Sequence, residues 1–367
     1  MPVPFFDITR QNAPLEKKLK AAVSQVIDSG RYILGENVTT FEQEFAAYCG
    51  TKFAVGVASG TDALLLALKV AGVKQGDEVI TSPFTFMATA EAIDYCGATP
   101  VFVDIDDKTF NLDVSKIACR ISPKTKAILP VHLYGLACHM APLMEIAKKE
   151  KLAVIEDCAQ AAGAEYNKKK VGSFGLGSFS FFPTKNLGCF GDGGAITTDS
   201  EEVVKQLKIL RNHGTTKTYH HDLIGYNSRL DELQASILRI KLRKLDSYLD
   251  KRRQNAAIYI EMLKDIPALQ LPSSPATCLH TYNQFTIQVD KRDELVDFIR
   301  GKGSSAMVYY PLALHLQMAF TKLGYKPGDL PVTEAVQKRV LSLPIFPELE
   351  EQEIEQVCSA LKEFYKK

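Results

Sequence analysis

The chain has 367 residues, 46% hydrophobic and 24% charged, with a formal net charge of +1. That length exceeds one small core and predicts a large domain plus a smaller one. The near-zero charge gives no bulk signal for nucleic acid or for a membrane surface.

The first residues, MPVPFFDITRQNAPLEKK, lack the basic start and apolar core of a secretory leader. No apolar run reaches the roughly 18 residues that a membrane span needs. From about Phe53 to Thr198, short apolar runs alternate with amphipathic ones: FAVGVA before TDALLLALKVAGV, DEVITS before MATAEAIDYCG, then TPVFVDI, KAILPVH and LAVIED. Runs of β-branched residues alternating with helical periods predict a mainly parallel sheet with crossover helices. GSFSFF, ending at Phe182, and GGAITT predict two further strands on either side of a loop that carries Lys185. The fold class expected is α/β with one large sheet. From Asp231 the run DELQASILRIKLRKLDSYLDKRRQNAAIYIEML has helical spacing, residues 271–278 read as a loop, and TYNQFTIQV reads as a strand. A boundary is expected between a large domain, 1–247, and a smaller C-terminal α+β domain, 248–367.

The eight cysteines are scattered, with no CxxC pair and no zinc-type spacing, and read as reduced thiols of a cytoplasmic protein. His220-His221, and His132 with His139, lack a companion cluster, so no metal is expected.

Three stretches carry chemistry. In VASGTDALL a strand ends at Val57 and a helix begins near Thr61, so Ser59, Gly60 and Thr61 lie where strand ends collect ligands and free helix N–H groups attract phosphate. The same residues also suit a plain capped helix. In LAVIEDCAQ an apolar strand ends in Glu156-Asp157, with Gln160 three positions on. Two acids there suit a metal, a cationic ring nitrogen or a helix cap. In SFSFFPTKNLGCFGDGGAI, Lys185 stands among aromatic and small residues, and Ser180 shares a face with Phe182. An amine held near apolar groups has a depressed pKa and can attack a carbonyl, whereas a loop lysine in solvent is inert. Together, a phosphate cup, a carboxylate, a strand-end lysine and an aromatic residue, Phe86, are what pyridoxal 5′-phosphate needs.

With these motifs in this order, the chain resembles the sugar aminotransferases of the DegT/DnrJ/EryC1/StrS family, which have the aspartate aminotransferase (type I) fold. GRYILGENVTTFEQEFA, ASGTDAL, GDEVITSPFTFMATAEAI, VIEDCAQAAGA, SFSFFPTKNLGCFGDGGAI and YNSRLDELQA carry the resemblance over nearly the whole chain. It implies that Lys185 holds the cofactor as a Schiff base and shuttles protons, that Asp157 pairs with the pyridine nitrogen, and that Gln160 approaches the ring hydroxyl. It further implies that Phe86 stacks on the ring, that Gly60, Thr61 and Ser180 hold the phosphate, and that Asn227 reaches the phosphate of a neighbouring subunit in a homodimer. L-glutamate would be the amino donor and a nucleotide-linked keto-sugar the acceptor, for surface glycan such as lipopolysaccharide O-antigen.

Within the family, YNSRLDELQA resembles members that aminate 3-keto sugars, and the text around Lys185 resembles those acting on UDP-2-acetamido-3-keto-glucuronate. Tyr309, in VYYP, departs from the histidine those relatives often carry, which sets an uncharged UDP-3-keto-N-acetylglucosamine beside the uronate. Arg229, Tyr309, Tyr310 and His213 are the substrate candidates, with His220 and His315 as weaker ones. The alternatives are a 4-keto sugar or ketocyclitol aminotransferase and, remotely, a non-catalytic regulator on the same scaffold.

Overall fold

A computed structural model describes residues 2–217 and 219–366. Alternation between extended and helical periods places β1 at Phe53–Val57, α1 at Gly60–Val70, β2 at Glu78–Thr81, α2 at Met87–Tyr95 and β3 at Thr99–Phe102. There follow β4 at Thr125–Leu129, α3 at Met140–Glu150, β5 at Ala153–Asp157, β6 at Leu176–Ser180 and β7 at Gly194–Thr198. These strands form one seven-stranded sheet in the order β1-β7-β6-β5-β4-β2-β3. Only β7 runs against its neighbours, so the sheet is mainly parallel, as the repeating apolar runs predict.

Both faces of the sheet are covered. One face packs Phe41, Phe45, Ile128, Val154 and Phe179; the other packs Leu64, Leu66, Val79, Leu129 and Ile155. Adjacent residues of β5 thus belong to opposite layers, which is the pleat's period of two. Since β1, β4, β5 and β6 point the same way, Val57, Asp157 and Ser180 all end at one edge. Gly194 pairs with both Val57 and Ser180 and draws those two strand ends together.

Two boundaries differ from the sequence reading. The strand before Lys185 stops at Ser180, because Phe181 and Phe182 already belong to a loop closed by Cys189 N–H on the Phe181 carbonyl at 2.8 Å. The long helical run is broken at Arg243-Lys244 into α4, Glu232–Leu242, and α5, Leu245–Leu263. The strand expected over TYNQFTIQV is confined to Phe285–Val289, and Cys278 at the end of the expected loop pairs with Tyr166.

A second core gathers Tyr259, Phe285, Ile287, Leu341, Leu343 and Val357 around a small antiparallel sheet. Val3 joins this core from the chain start, bridging to Ser304. Arg252 of α5 is fully buried there, and its Nη1 donates to the carbonyls of Tyr282 at 3.1 Å and Ile345 at 2.8 Å. Burial pulls this guanidinium down to about 10, so it stays charged at neutral pH. Arg252→Met leaves those carbonyls without their donor, and the loss is expected to be about 2–4 kcal/mol, read from the denaturant midpoint. A change below about 1 kcal/mol contradicts this role for Arg252.

Candidate active site

The first part of the site is a turn pressed against a strand end. Ser59 caps α1 by accepting from Asp62 N–H at 3.1 Å, leaving Gly60 and Thr61 as the opening residues of an eleven-residue helix. Their N–H groups lie at the positive end of the helix dipole. A Cβ on Gly60 would sit 2.5 Å from Ser180 Cβ, and one on Gly194 would sit 2.3 Å from the Ser59 carbonyl oxygen. No side chain other than hydrogen fits at either place. Ser228 fixes the turn from outside: its hydroxyl donates to Asp62 at 2.7 Å and accepts from Ala58 N–H at 3.2 Å.

The second part stands at the end of β5. Asp157 is buried and pairs in register with Ser178 of β6, two residues before Ser180. Its carboxylate accepts from the Thr89 hydroxyl at 2.8 Å and from Ala159 N–H at 3.1 Å. Gln160 accepts from Tyr134 N–H at 2.7 Å, which turns its amide nitrogen to donate to the Tyr310 hydroxyl at 3.0 Å. Phe86 caps α2, is 58% exposed, and has its ring 6.4 Å from that of Tyr310. Lys185 N–H closes a turn on the Phe182 carbonyl at 2.9 Å.

Electrostatics sort the two neighbouring acids. Burial pushes Asp157 above the usual carboxylate range, with Thr89, Ala159 and Lys185 opposing. Burial also works on Glu156, yet His132 and the N–H groups of Gly172 and Gly175 hold it below that range. Glu156 therefore ties the 172–175 loop to the sheet, while Asp157 faces the cleft. Burial lowers the Lys185 ammonium, Asp157 opposing, which raises the fraction of neutral amine. Burial raises Tyr310 and Tyr134, so both remain hydroxyls at neutral pH.

The candidates from sequence divide accordingly. Gly60 lies against Ser180, with Thr61 beside it at the helix start; Asp157 interacts with Lys185, Gln160 bonds Tyr310, and Tyr310 meets Phe86. Tyr309 is half-buried, its carbonyl accepting from the Tyr134 hydroxyl. Asn227 and His213 are exposed, and Asn227 bridges to Asn212. Arg229 is half-buried, its guanidinium 3.4 Å from the Asn212 side chain. His315 is buried against Glu334 at 3.2 Å, and His220 is exposed. Sequence reasoning missed Thr89 and Tyr134, although a hydroxyl in the first turn of a helix, in TFMAT, is a usable signal. His132, Glu156 and Cys158 bring ligand-type atoms within 4.8 Å of one another. Both His132 nitrogens and both Glu156 oxygens are already hydrogen-bonded.

The pocket's chemistry fits pyridoxal 5′-phosphate. It offers free helix N–H groups and hydroxyls for the phosphate, a buried carboxylate that meets only neutral donors at hydrogen-bond distance, and an amine of lowered basicity. Gly60→Ala forces a methyl group into Ser180. The expected result is at least a tenfold weaker affinity for pyridoxamine 5′-phosphate by calorimetry, about 1.4 kcal/mol, within the usual cost of overpacking.

The model of the DegT/DnrJ/EryC1/StrS aminotransferase family matches residues 14–362. UDP-N-acetyl-3-dehydro-α-D-glucosamine 3-aminotransferase of Acidithiobacillus ferrooxidans is 47% identical over 98% of this chain and 97% of its own. A protein of Geobacillus stearothermophilus called a pleiotropic regulatory protein is 46% identical over 100% and 99%. Streptomyces venezuelae DesV, solved with a ketimine intermediate, superposes with a TM-score of 0.98 at 42% identity, covering 100% of this chain and 99% of that one. The chain belongs to the DegT/DnrJ/EryC1/StrS aminotransferase family, whose cofactor is pyridoxal 5′-phosphate.

Proposed function

We propose that the chain moves the amino group of L-glutamate to C3 of UDP-3-keto-N-acetylglucosamine, giving 2-oxoglutarate and the 3-amino sugar for surface glycan. The observation that carries this is the 47% identity with the A. ferrooxidans enzyme over nearly the whole of both chains. Tyr309 and Tyr310, where the sugar would lie, are neutral hydroxyls.

When bound, pyridoxal 5′-phosphate supplies an electron sink and carries the amino group between the two halves of the reaction. Gly60, Thr61 and Ser180 hold the phosphate. Ionised Asp157 holds positive charge at the ring nitrogen, and Thr89 fixes the carboxylate's orientation. Gln160, its amide turned by Tyr134, presents N–H toward the ring hydroxyl. Phe86 would stack on the ring. Lys185 Nζ would hold the cofactor, and as a free amine would take the α-carbon proton of glutamate in the first half and deliver a proton to sugar C3 in the second.

A homodimer with shared sites is part of the proposal. Phe86 and Phe182 are exposed on the segments that carry the site, Phe190 is exposed beside Leu19, Val23 and Ile27, and Tyr219 and Ile224 are 92% and 96% exposed on the segment just before Asn227. Asn227, Arg229 and His213 on that side of the molecule would serve the partner's site. Eight unpaired cysteines support a cytoplasmic setting. None of the helices among the described residues is long and apolar enough to cross a membrane. A division near 247, within α5, into a large and a smaller domain is part of the same proposal. A regulatory role without chemistry is disfavoured by the intact set of Lys185, Asp157, Gln160 and Ser180.

The Asp157 shift has a sign that can be checked. The cofactor's ring cation needs the ionised carboxylate, so affinity for pyridoxamine 5′-phosphate is expected to fall as pH drops through the raised Asp157 pKa. Asp157→Asn removes that dependence and binds about a hundredfold more weakly at neutral pH; an unchanged pH profile in the variant refutes the assignment. The substrate reading is tested with UDP- and dTDP-linked 3-keto and 4-keto sugars, generated in situ with glutamate and followed by mass spectrometry. The expected product is the UDP-linked 3-amino sugar, and turnover of 4-keto sugars alone overturns it.

A further inference from the structure

Lys185 sits in a loop with few anchors of its own. Phe181 N–H donates to the Gly193 carbonyl and Cys189 N–H to the Phe181 carbonyl, each at 2.8 Å, so the loop is pinched at its base. Between Cys189 and Gly193 the chain leaves the sheet and Phe190 stands 43% exposed. There α4 meets it. Gln234 accepts from Phe190 N–H at 2.8 Å and donates to the Phe190 carbonyl at 3.2 Å. Seven residues on, and therefore on the same helix face, Lys241 places its amine 5.7 Å from the centre of the Phe190 ring. That amine is 1% exposed as a residue and has no hydrogen-bond partner. The Phe190 ring face adds to the attraction of Glu348 and Cys189 in keeping this buried amine charged. One helix thus grips Phe190 by its backbone and by its ring.

We infer that Gln234 is a positioning residue for Lys185. Its two-point clamp on Phe190, backed by Lys241, holds the downstream leg of the lysine loop on α4, so that the amine meets the cofactor's aldehyde carbon. The inference rests on the reading that Lys185 attaches the cofactor. It also gives YNSRLDELQA a different meaning at its end: Gln234 addresses the lysine loop rather than the sugar. Glu232 likewise turns away from substrate, since its carboxylate accepts from Asn37 N–H at 3.0 Å and Val38 N–H at 2.8 Å.

The test compares Gln234→Met, Gln234→Glu and Lys185→Ala with the parent protein. The rate at which visible absorption appears when apoprotein meets pyridoxal 5′-phosphate reports attachment. Affinity for pyridoxamine 5′-phosphate, which does not attach, reports the rest of the pocket. Losing both clamp bonds is expected to slow attachment about tenfold in Gln234→Met, with pyridoxamine 5′-phosphate affinity changed by less than about twofold. Gln234→Glu keeps the acceptor for Phe190 N–H and loses the donor, so its rate falls between the two. Lys185→Ala gives no band. Attachment at the parent rate in Gln234→Met overturns the clamp, as does an equal loss of pyridoxamine 5′-phosphate affinity, which signals general loosening. A band that persists in Lys185→Ala overturns the underlying reading and the inference with it.

Discussion

Everything in the site depends on how β5 ends. A strand alternates its side chains between two faces, so Glu156 and Asp157, adjacent in sequence, leave the sheet on opposite sides. Glu156 enters the layer that holds Val154 and spends its oxygens on His132 and the N–H groups of Gly172, Phe174 and Gly175. Asp157 enters the layer that holds Ile155 and meets Thr89 on α2. One carboxylate becomes a structural tie and the other a buried charge facing the cleft. A one-residue slip of β5 would exchange the roles and close the site.

The second constraint is steric. Gly194 lies between the ends of β1 and β6, and Gly60 presses on Ser180. These contacts let a helix N-terminus and a hydroxyl from a strand two places away converge on one small volume. Behind them, the buried Glu42–Arg211 pair grips β1: Glu42 accepts from Gly56 N–H and Arg211 donates to the Gly56 carbonyl, each at 2.8 Å. The turn at Ser59–Thr61 is therefore set by a strand whose own position is held by charge-assisted hydrogen bonds rather than by apolar packing alone.

Much of this is legible in the sequence because it follows local periodicity. Val57 and Asp157 can be placed at strand ends from the apolar runs before them, and Lys185 in the loop after one. Other parts depend on residues far apart in the chain. Nothing near Gln160 indicates that Tyr134 orients it or that Tyr310 accepts from it, because those contacts span 26 and 150 residues. The break at Arg243-Lys244 escapes a reading by helical spacing, since the apolar period continues through it. The strand end at Phe182 fails for the opposite reason: two phenylalanines extend a β-like pattern into a loop that tertiary hydrogen bonds have already closed.

The same contrast separates scaffold from chemistry. Glu156 is buried and fully hydrogen-bonded, and its carboxyl is held in the ionised form by its partners. Asp157 and Lys185 are shifted toward their neutral forms chiefly by burial. A group shifted by its partners is satisfied by the fold. Asp157 and Lys185 act on each other across the end of β5, each favouring the other's charged form against burial. In the proposed reading the cofactor's ring cation, aldehyde and phosphate would meet Asp157, Lys185 and the Gly60–Thr61 turn respectively.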